Sequence, residues 1–355
     1  METPVEASKS NPFVPHSAIT AFHAFLRKTE PIYARLMDLK EKGWKNPKGD
    51  EHFKNQRHRA DNTKGQDEIR FYQMMQQIGD EIQAKTGAFS HVNQIQPEDE
   101  FKILDLCMAP GGYTSTALKY NPRAKATGIT LPPNQGGHKV LLKSPQVTIL
   151  YRDITMFAKE FVPDDHEIPI QHPAQSSFLT ERPFINHKFN LVICDGQVLR
   201  THQRPEYREA NEATRLTNSQ LILGLQRILQ GGTVIMLLHK IEAWDTMELL
   251  YLFSRFADIE VFKPVKKHAI RGTFYLIAQN MRPDEEAASV AVEAWKKAWW
   301  YATFGGEEGT GAGRMQVDDG YVRSVIDDFG ERFIMLARPV WKIQADALGR
   351  SDFVR

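Results

Sequence analysis

Apolar residues recur at two different spacings along this chain, and the change of spacing divides it. Between Ala18 and Lys42, Phe22, Phe25, Leu26, Ile32, Leu36 and Leu39 fall at helical spacing and predict one or two helices. Ile69, Tyr72, Met75, Ile78 and Ile82 form a second apolar stripe, predicting a helix that runs to about Lys85. From Phe101 the pattern changes to short apolar runs. Strands are expected at Phe101–Leu106, Lys125–Thr130, Gln146–Tyr151, Phe189–Cys194, Thr233–His239, Asp258–Lys263 and Thr273–Ala278. Helical stretches separate the first five, at Tyr113–Tyr120, Gly136–Lys143, parts of 154–162 and Glu206–Leu229. Such alternation predicts a parallel, doubly wound sheet. Only Pro264 to Gly272 joins the last two strands, too short for a parallel crossover, so they should be antiparallel. The expected fold class is therefore α/β: a seven-stranded, mostly parallel sheet ending in an antiparallel hairpin.

The flanks read differently. The polar residues 1–15 are expected to be disordered. Asp284–Phe304, with Trp295, Trp299 and Trp300, predicts an amphipathic helix whose tryptophans pack the tail on the core; base stacking is the other use for them. Gly305–Gly320 is glycine-rich and reads as a mobile loop without a Walker pattern, and the chain is helical again from Tyr321. The expected division is 1–64 as a disordered start, helix and basic linker, 65–282 as the α/β domain, and 283–355 as a helical extension.

Composition narrows the partners. The 355 residues are 41% apolar and 25% charged with a net charge of +1, so any basic surface must be local. No run of about 18 apolar residues is present, which argues against a membrane span, and Met1 to Ser17 lacks the apolar segment of a secretory leader. Cys107 and Cys194 each end an apolar run and read as buried, reduced thiols, consistent with a cytoplasmic or nuclear protein. Residues 40–64 hold eight Lys/Arg against four Asp/Glu, with Trp44, His52, Phe53 and His58 among them. The predicted hairpin turn, 263–271, carries Lys263, Lys266, Lys267, His268 and Arg271. Both suit a nucleic-acid backbone; a solvated surface is the alternative for each. The histidines are scattered and the cysteines far apart, so no metal site is expected. The oligomeric state is left open.

Chemistry concentrates at predicted strand ends. Ile103-Leu104-Asp105-Leu106-Cys107-Met108-Ala109-Pro110-Gly111-Gly112-Tyr113-Thr114 reads as a strand, a glycine turn and a helix start, the layout of a site for a nucleotide-like cofactor. Gly111 and Gly112 can take backbone angles closed to other residues and let a ligand approach the main chain. Later strands end at Gly128-Ile129-Thr130-Leu131, at Asp153 in Tyr-Arg-Asp-Ile, and at Asp195 in Val-Ile-Cys-Asp-Gly-Gln. Ligands in such sheets bind at the carboxyl ends of the strands. Each carboxylate alone is explained by helix capping or loop solvation, but Asp105, Asp153 and Asp195 together on one rim favour a ligand.

The segment Asp-Leu-Cys-Met-Ala-Pro-Gly-Gly-Tyr resembles the first motif of the FtsJ-like (ribose 2′-O) RNA methyltransferases. Gly-Ile-Thr-Leu, Tyr-Arg-Asp-Ile and Val-Ile-Cys-Asp-Gly-Gln are most similar to cap-type members. The resemblance spans roughly Ile103 to Asn280 and implies the cofactor S-adenosyl-L-methionine (SAM) and an RNA substrate. Carried over by position, Asp105, Ala109, Pro110, Gly111, Gly112, Tyr113 and Thr130 belong to the cofactor pocket. Gly111, Gly112 and Tyr113 would line the methionine and ribose of SAM, Asp153 would face the adenine amino group, and Asp195 would sit beside the methyl. The family activates the 2′-hydroxyl with a Lys-Asp-Lys-Glu tetrad. Here Asp195 matches the aspartate, Leu237 stands where the second lysine belongs, and Thr273 replaces the glutamate. No lysine lies between Lys64 and Lys85, leaving Arg70 as the nearest cation for the first position. Lys240, three residues past Leu237, can serve only if a turn redirects it; His239, His268 and Arg271 are further substitutes. The expected catalytic residues are Asp195 and Lys240. Alternatives are a SAM- or RNA-binding module without activity, and a SAM enzyme for a small nucleophilic substrate.

Overall fold

In the computed structural model, residues 16–52, 54, 65–90, 100–312 and 317–354 are described. The expected disorder of 1–15 lies outside them. The short apolar runs form β1 (Lys102–Leu106), β2 (Lys125–Thr130), β3 (Val147–Tyr151), β4 (Phe189–Cys194), β5 (Ile228–His239), β6 (Asp258–Phe262) and β7 (Thr273–Gln279). They make one sheet in the order β3-β2-β1-β4-β5-β7-β6. Parallel pairing joins β1 with β2 and β4, β2 with β3, and β4 with β5, while β7 runs antiparallel to both β5 and β6. The expected fold class holds.

Alternate side chains of each central strand enter opposite layers, as strand geometry requires. Ile103, Leu191, Ile193, Ile235, Tyr275 and Ile277 pack with Met75, Ile78, Ile82 and Ala117, which come from α3 (Gln66–Thr86) and α4 (Gly112–Tyr120). Leu104, Val192, Met236, Phe274 and Leu276 face the other layer, which contains α5 (Glu212–Arg227), α6 (Trp244–Phe256) and α7 (Glu286–Phe304). The same cluster takes in Phe22, Leu26, Tyr33 and Leu36 together with Phe333, Val340 and Trp341. These belong to α1 (His16–Thr29), α2 (Pro31–Trp44) and α8 (Asp319–Leu348). The helices at both ends thus share a core with the sheet. Trp295 and Trp299 are buried in it.

Several expectations are corrected. Residues 136–143 are not helical; only a turn, Pro133–Gln135, precedes them. Gly136 at φ 91° ends that turn, and the following segment lies across the first glycine loop, with Leu141 N–H donating to Pro110 O at 3.0 Å. The helix expected over Glu206–Leu229 is a turn at Glu206–Arg208 followed by α5, and β5 starts at Ile228, before the expected Thr233. Gly231, at φ 76°, lies where the pairing with β4 shifts register, so the early residues join the strand through an irregularity that apolar periodicity does not show. The described part of the glycine-rich stretch is a hydrogen-bonded turn: Gly305 and Ala312 donate to Tyr301 O, and Gly311 donates to Gly305 O. Residues 313–316 lie outside the described residues, and α8 begins at Asp319, capped by Asp318.

Candidate active site

A cleft of about 1570 Å³ runs along the carboxyl ends of β1, β2, β3, β4 and β5. Of the residues expected there, Ala109, Tyr113, Thr130, Asp153, Asp195 and Lys240 line it, as do Arg70, Leu237, His239 and Thr273. Asp105, Pro110, Gly111 and Gly112 do not, although the first motif folds as the expected strand-turn-helix. Gly111 sits at φ 98°, and a Cβ there would lie 2.9 Å from the Cβ of Leu142. A Cβ on Gly112 would lie 2.4 Å from the Cβ of Met75 and 2.7 Å from Tyr72 O. These glycines let α3 and the 138–143 segment close on the turn. Their side-chain-free approach serves the protein itself. Tyr113 completes the seal, its hydroxyl bonded to that of Tyr275.

Asp105 lies behind the cleft, 1% exposed, accepting a hydrogen bond from Thr114 through Oδ2. Its Oδ1 and the Oδ1 of Asp195 are buried and have no hydrogen-bond partner. Burial pushes the Asp105 carboxyl up to about 7, against the opposing Thr114 bond. Asp195 is raised well above the ordinary carboxylate range, by burial first and by Asp105 second. Cys107, raised by burial and then by Asp195, is a neutral thiol beside the pair; it and Cys194 are free. Two neighbouring acids, Asp105 buried and Asp195 half-buried, each with a buried unpartnered oxygen, leave a demand for positive charge or donors at the cleft floor.

Asp153 is already engaged. Its Oδ1 accepts from Thr155 N–H at 3.0 Å and from the Thr155 hydroxyl at 2.8 Å, and its Oδ2 accepts from Arg208 Nη2 at 2.9 Å. Burial acts to raise its pKa, but Arg208 and His202 outweigh it and hold the carboxyl below its ordinary value. Sequence reasoning missed this cluster. The fold gathers Asp153, His202 and Glu212 with ligand atoms within 4.8 Å of one another, a spacing a metal ion uses. Arg208, however, also donates to Glu212 at 2.7 Å, so a guanidinium already balances both carboxylates. The four-residue step from Arg208 to Glu212 was the available signal.

The far end of the cleft is cationic. Leu237 stands opposite Tyr275 and His239 opposite Thr273 in the β5–β7 register. His239 shares hydrogen bonds with Gln197 Oε1 at 2.8 Å and Thr273 Oγ1 at 3.1 Å. Burial, then Arg271 and Lys240, hold its imidazole below the ordinary value and therefore neutral at pH 7. Lys240 adopts φ 51°, the turn needed to redirect it, with its N–H donating to Gly272 O at 2.9 Å. The β6–β7 turn supplies Lys267, His268 and Arg271 to the lining. Lys263 is a correction to the expected basic patch: it is 4% exposed and points inward. Its Nζ donates to the carbonyls of His268, Arg271 and Thr273 at 3.3, 2.6 and 2.8 Å. The patch at 40–64 is corrected in part, since Lys40 pairs with Glu242 at 2.5 Å and Lys45 with Glu41 at 2.6 Å. Residues 53 and 55–64 lie outside the described ones.

The sequence profile described as FtsJ-like methyltransferase matches residues 80–281, more than half of the chain. The chain belongs to the FtsJ-like methyltransferase family. Members are SAM-dependent methyltransferases, and the matched segment contains the whole seven-stranded sheet. Among similar solved structures is a protein described as a ribosomal RNA methyltransferase from Plasmodium falciparum, 17% identical, covering 58% of this chain and 96% of that one with a TM-score of 0.37. Another is human methyltransferase-like protein 13 in complex with SAH, 12% identical, covering 62% and 89% with a TM-score of 0.35. An rRNA methylase from Streptococcus thermophilus is 11% identical, covering 52% and 88% with a TM-score of 0.30. No curated protein matches the chain. Among the described residues, no helix is long and apolar enough to cross a membrane.

Proposed function

We propose that this FtsJ-like methyltransferase modifies RNA, at a ribose 2′-hydroxyl. The observation that carries the reading is the single cleft joining the unpartnered acids at Asp195 to the cations beyond Leu237. Bound SAM supplies an electrophilic methyl carried on a positive sulfonium. The acids fit that group: Asp195, backed by Asp105, offers a carboxyl with an unpartnered oxygen at the cleft floor, which a sulfonium would favour in its ionised form, with Ala109, Tyr113 and Thr130 as neighbouring walls. Asp153 is a pocket wall whose carboxylate is oriented by Arg208 and Thr155.

Attack on a methyl forms a C–O bond, breaks the C–S bond and leaves a hydroxyl proton to be taken up. Leu237 cannot accept it. His239, neutral and tied to Thr273, stands two residues further along the same strand face, with Lys240 turned toward the cleft beside it. The tetrad is therefore read as degenerate, with positioning and charge at Asp195 and Lys240 carrying more of the rate than a lysine base. The cap-type character of the motifs makes capped RNA the first substrate to try.

Calorimetric titration with SAM, followed by tritiated-methyl transfer to capped and uncapped RNA, tests this. Binding of SAM and incorporation that falls about 10²-fold or more in Asp195→Asn are expected. Absence of SAM binding, or incorporation equal in Asp195→Asn, would refute the assignment.

A further inference from the structure

Trp44 is 66% exposed, whereas Trp244, Trp295, Trp299 and Trp341 are each 6% exposed or less. It ends α2 and lines the cleft together with Leu39, Leu348 and Phe353. Lys240, Lys267 and Arg271 line the same cleft. None of the residues on the helical side belongs to the segment shared with the family, 80–281. Yet this wall is fixed to the rim that carries Lys240. The Lys40–Glu242 ion pair, 2.5 Å long and nearly buried, ties α2 to the chain just after β5. Gln344 donates to Ile270 O at 3.2 Å, tying α8 to the β6–β7 turn. The turn after Trp44 is clamped by Asn46, which donates to Phe353 O at 2.9 Å. Trp44 is thus an exposed aromatic side chain on a pinned turn, inside a cleft lined by cations. A large ring held that way suits a planar, uncharged partner, and the cations suit the anions attached to it.

We propose that the terminal helices form a nucleotide-recognition wall, in which a base of single-stranded RNA stacks on Trp44 while its phosphates meet Lys240 and Lys267. This rests on the RNA reading above and adds to it the part of the chain that selects the substrate. Stacking of a base on an aromatic side chain is tolerant of sequence, so the wall favours unpaired RNA over duplex.

The test uses the full chain and a short, capped, single-stranded oligoribonucleotide of mixed sequence, with its duplex as control. Intrinsic fluorescence reports on it, because Trp44 is by far the most exposed of these five tryptophans. Binding should quench the long-wavelength emission, and Trp44→Phe should lose the quench while anisotropy of a labelled RNA shows affinity within about threefold of wild type. Trp44→Ala should weaken RNA binding about tenfold and leave SAM affinity unchanged, which also confirms that the variant is folded. Lys267→Ala should weaken binding by a smaller factor and flatten its salt dependence. Wild-type affinity for RNA in Trp44→Ala would overturn the wall and leave the methyltransferase reading standing. Failure of the wild-type protein to bind either RNA would overturn both the wall and the RNA reading.

Discussion

The two halves of the cleft solve opposite electrostatic problems. On the β1–β4 side, the buried Asp105 and the half-buried Asp195 lie near each other, and their carboxyls rise in pKa. On the β5–β7 side, Lys240, Lys267 and Arg271 face the cleft, while Lys263 is buried and turned to the backbone. Three backbone carbonyls surround its Nζ, and burial, with Lys40 adding to it, pushes the group down to about 7. The acid half holds carboxyls with unpartnered oxygens that await a ligand; the basic half uses an internal lysine to shape a turn that presents other cations. The contrast separates residues that bind from residues that hold the binders in place.

Three experiments press on that contrast. The largest effect is expected from Lys263→Met, which leaves three carbonyls without their donor. Stability should fall by about 3 kcal/mol, read as a lower midpoint in denaturant unfolding, and an unchanged midpoint would show that the turn does not depend on the lysine. The next is the pH dependence of cofactor affinity. Asp105, raised to about 7, is largely neutral below that pH and ionised above it, and the neighbouring Asp195 is raised as well. The ionised form attracts a sulfonium, so SAM should bind more tightly as pH rises through 7, by up to about tenfold per unit on the acid side. SAH, which has no sulfonium, should show a flatter profile; parallel profiles would contradict the role given to the acids. The smallest effect belongs to Lys240→Ala, expected to slow methyl transfer about threefold to tenfold and to lower its salt sensitivity. Full activity in that variant would remove Lys240 from the site.

Much of this arrangement was legible in the residues. The unbroken apolar run Leu191-Val192-Ile193-Cys194 marked a strand with two buried faces, and Asp195 followed at its end, where the cleft is found. The short link from Pro264 to Gly272 was enough to orient β7. Long-range pairings were not legible. Nothing local to Gly112 shows that Met75 will press against it, so the glycine turn's second role, as a packing joint, was hidden. Lys263 read as one more surface cation because its three acceptors lie five to ten residues ahead, in a turn whose shape only the folded chain supplies. Trp44 sat in a stretch read as basic linker, and its place in the cleft depends on contacts with residues near position 353.

The clamp between Asn46 and Phe353 has a consequence for how the protein is made. Every residue of the sheet has left the ribosome once β7 has, whereas the aromatic wall must wait for residue 353 to emerge. A nascent chain halted between these points would hold all its strands while the helix that shares their core is still missing, so the cleft is completed last.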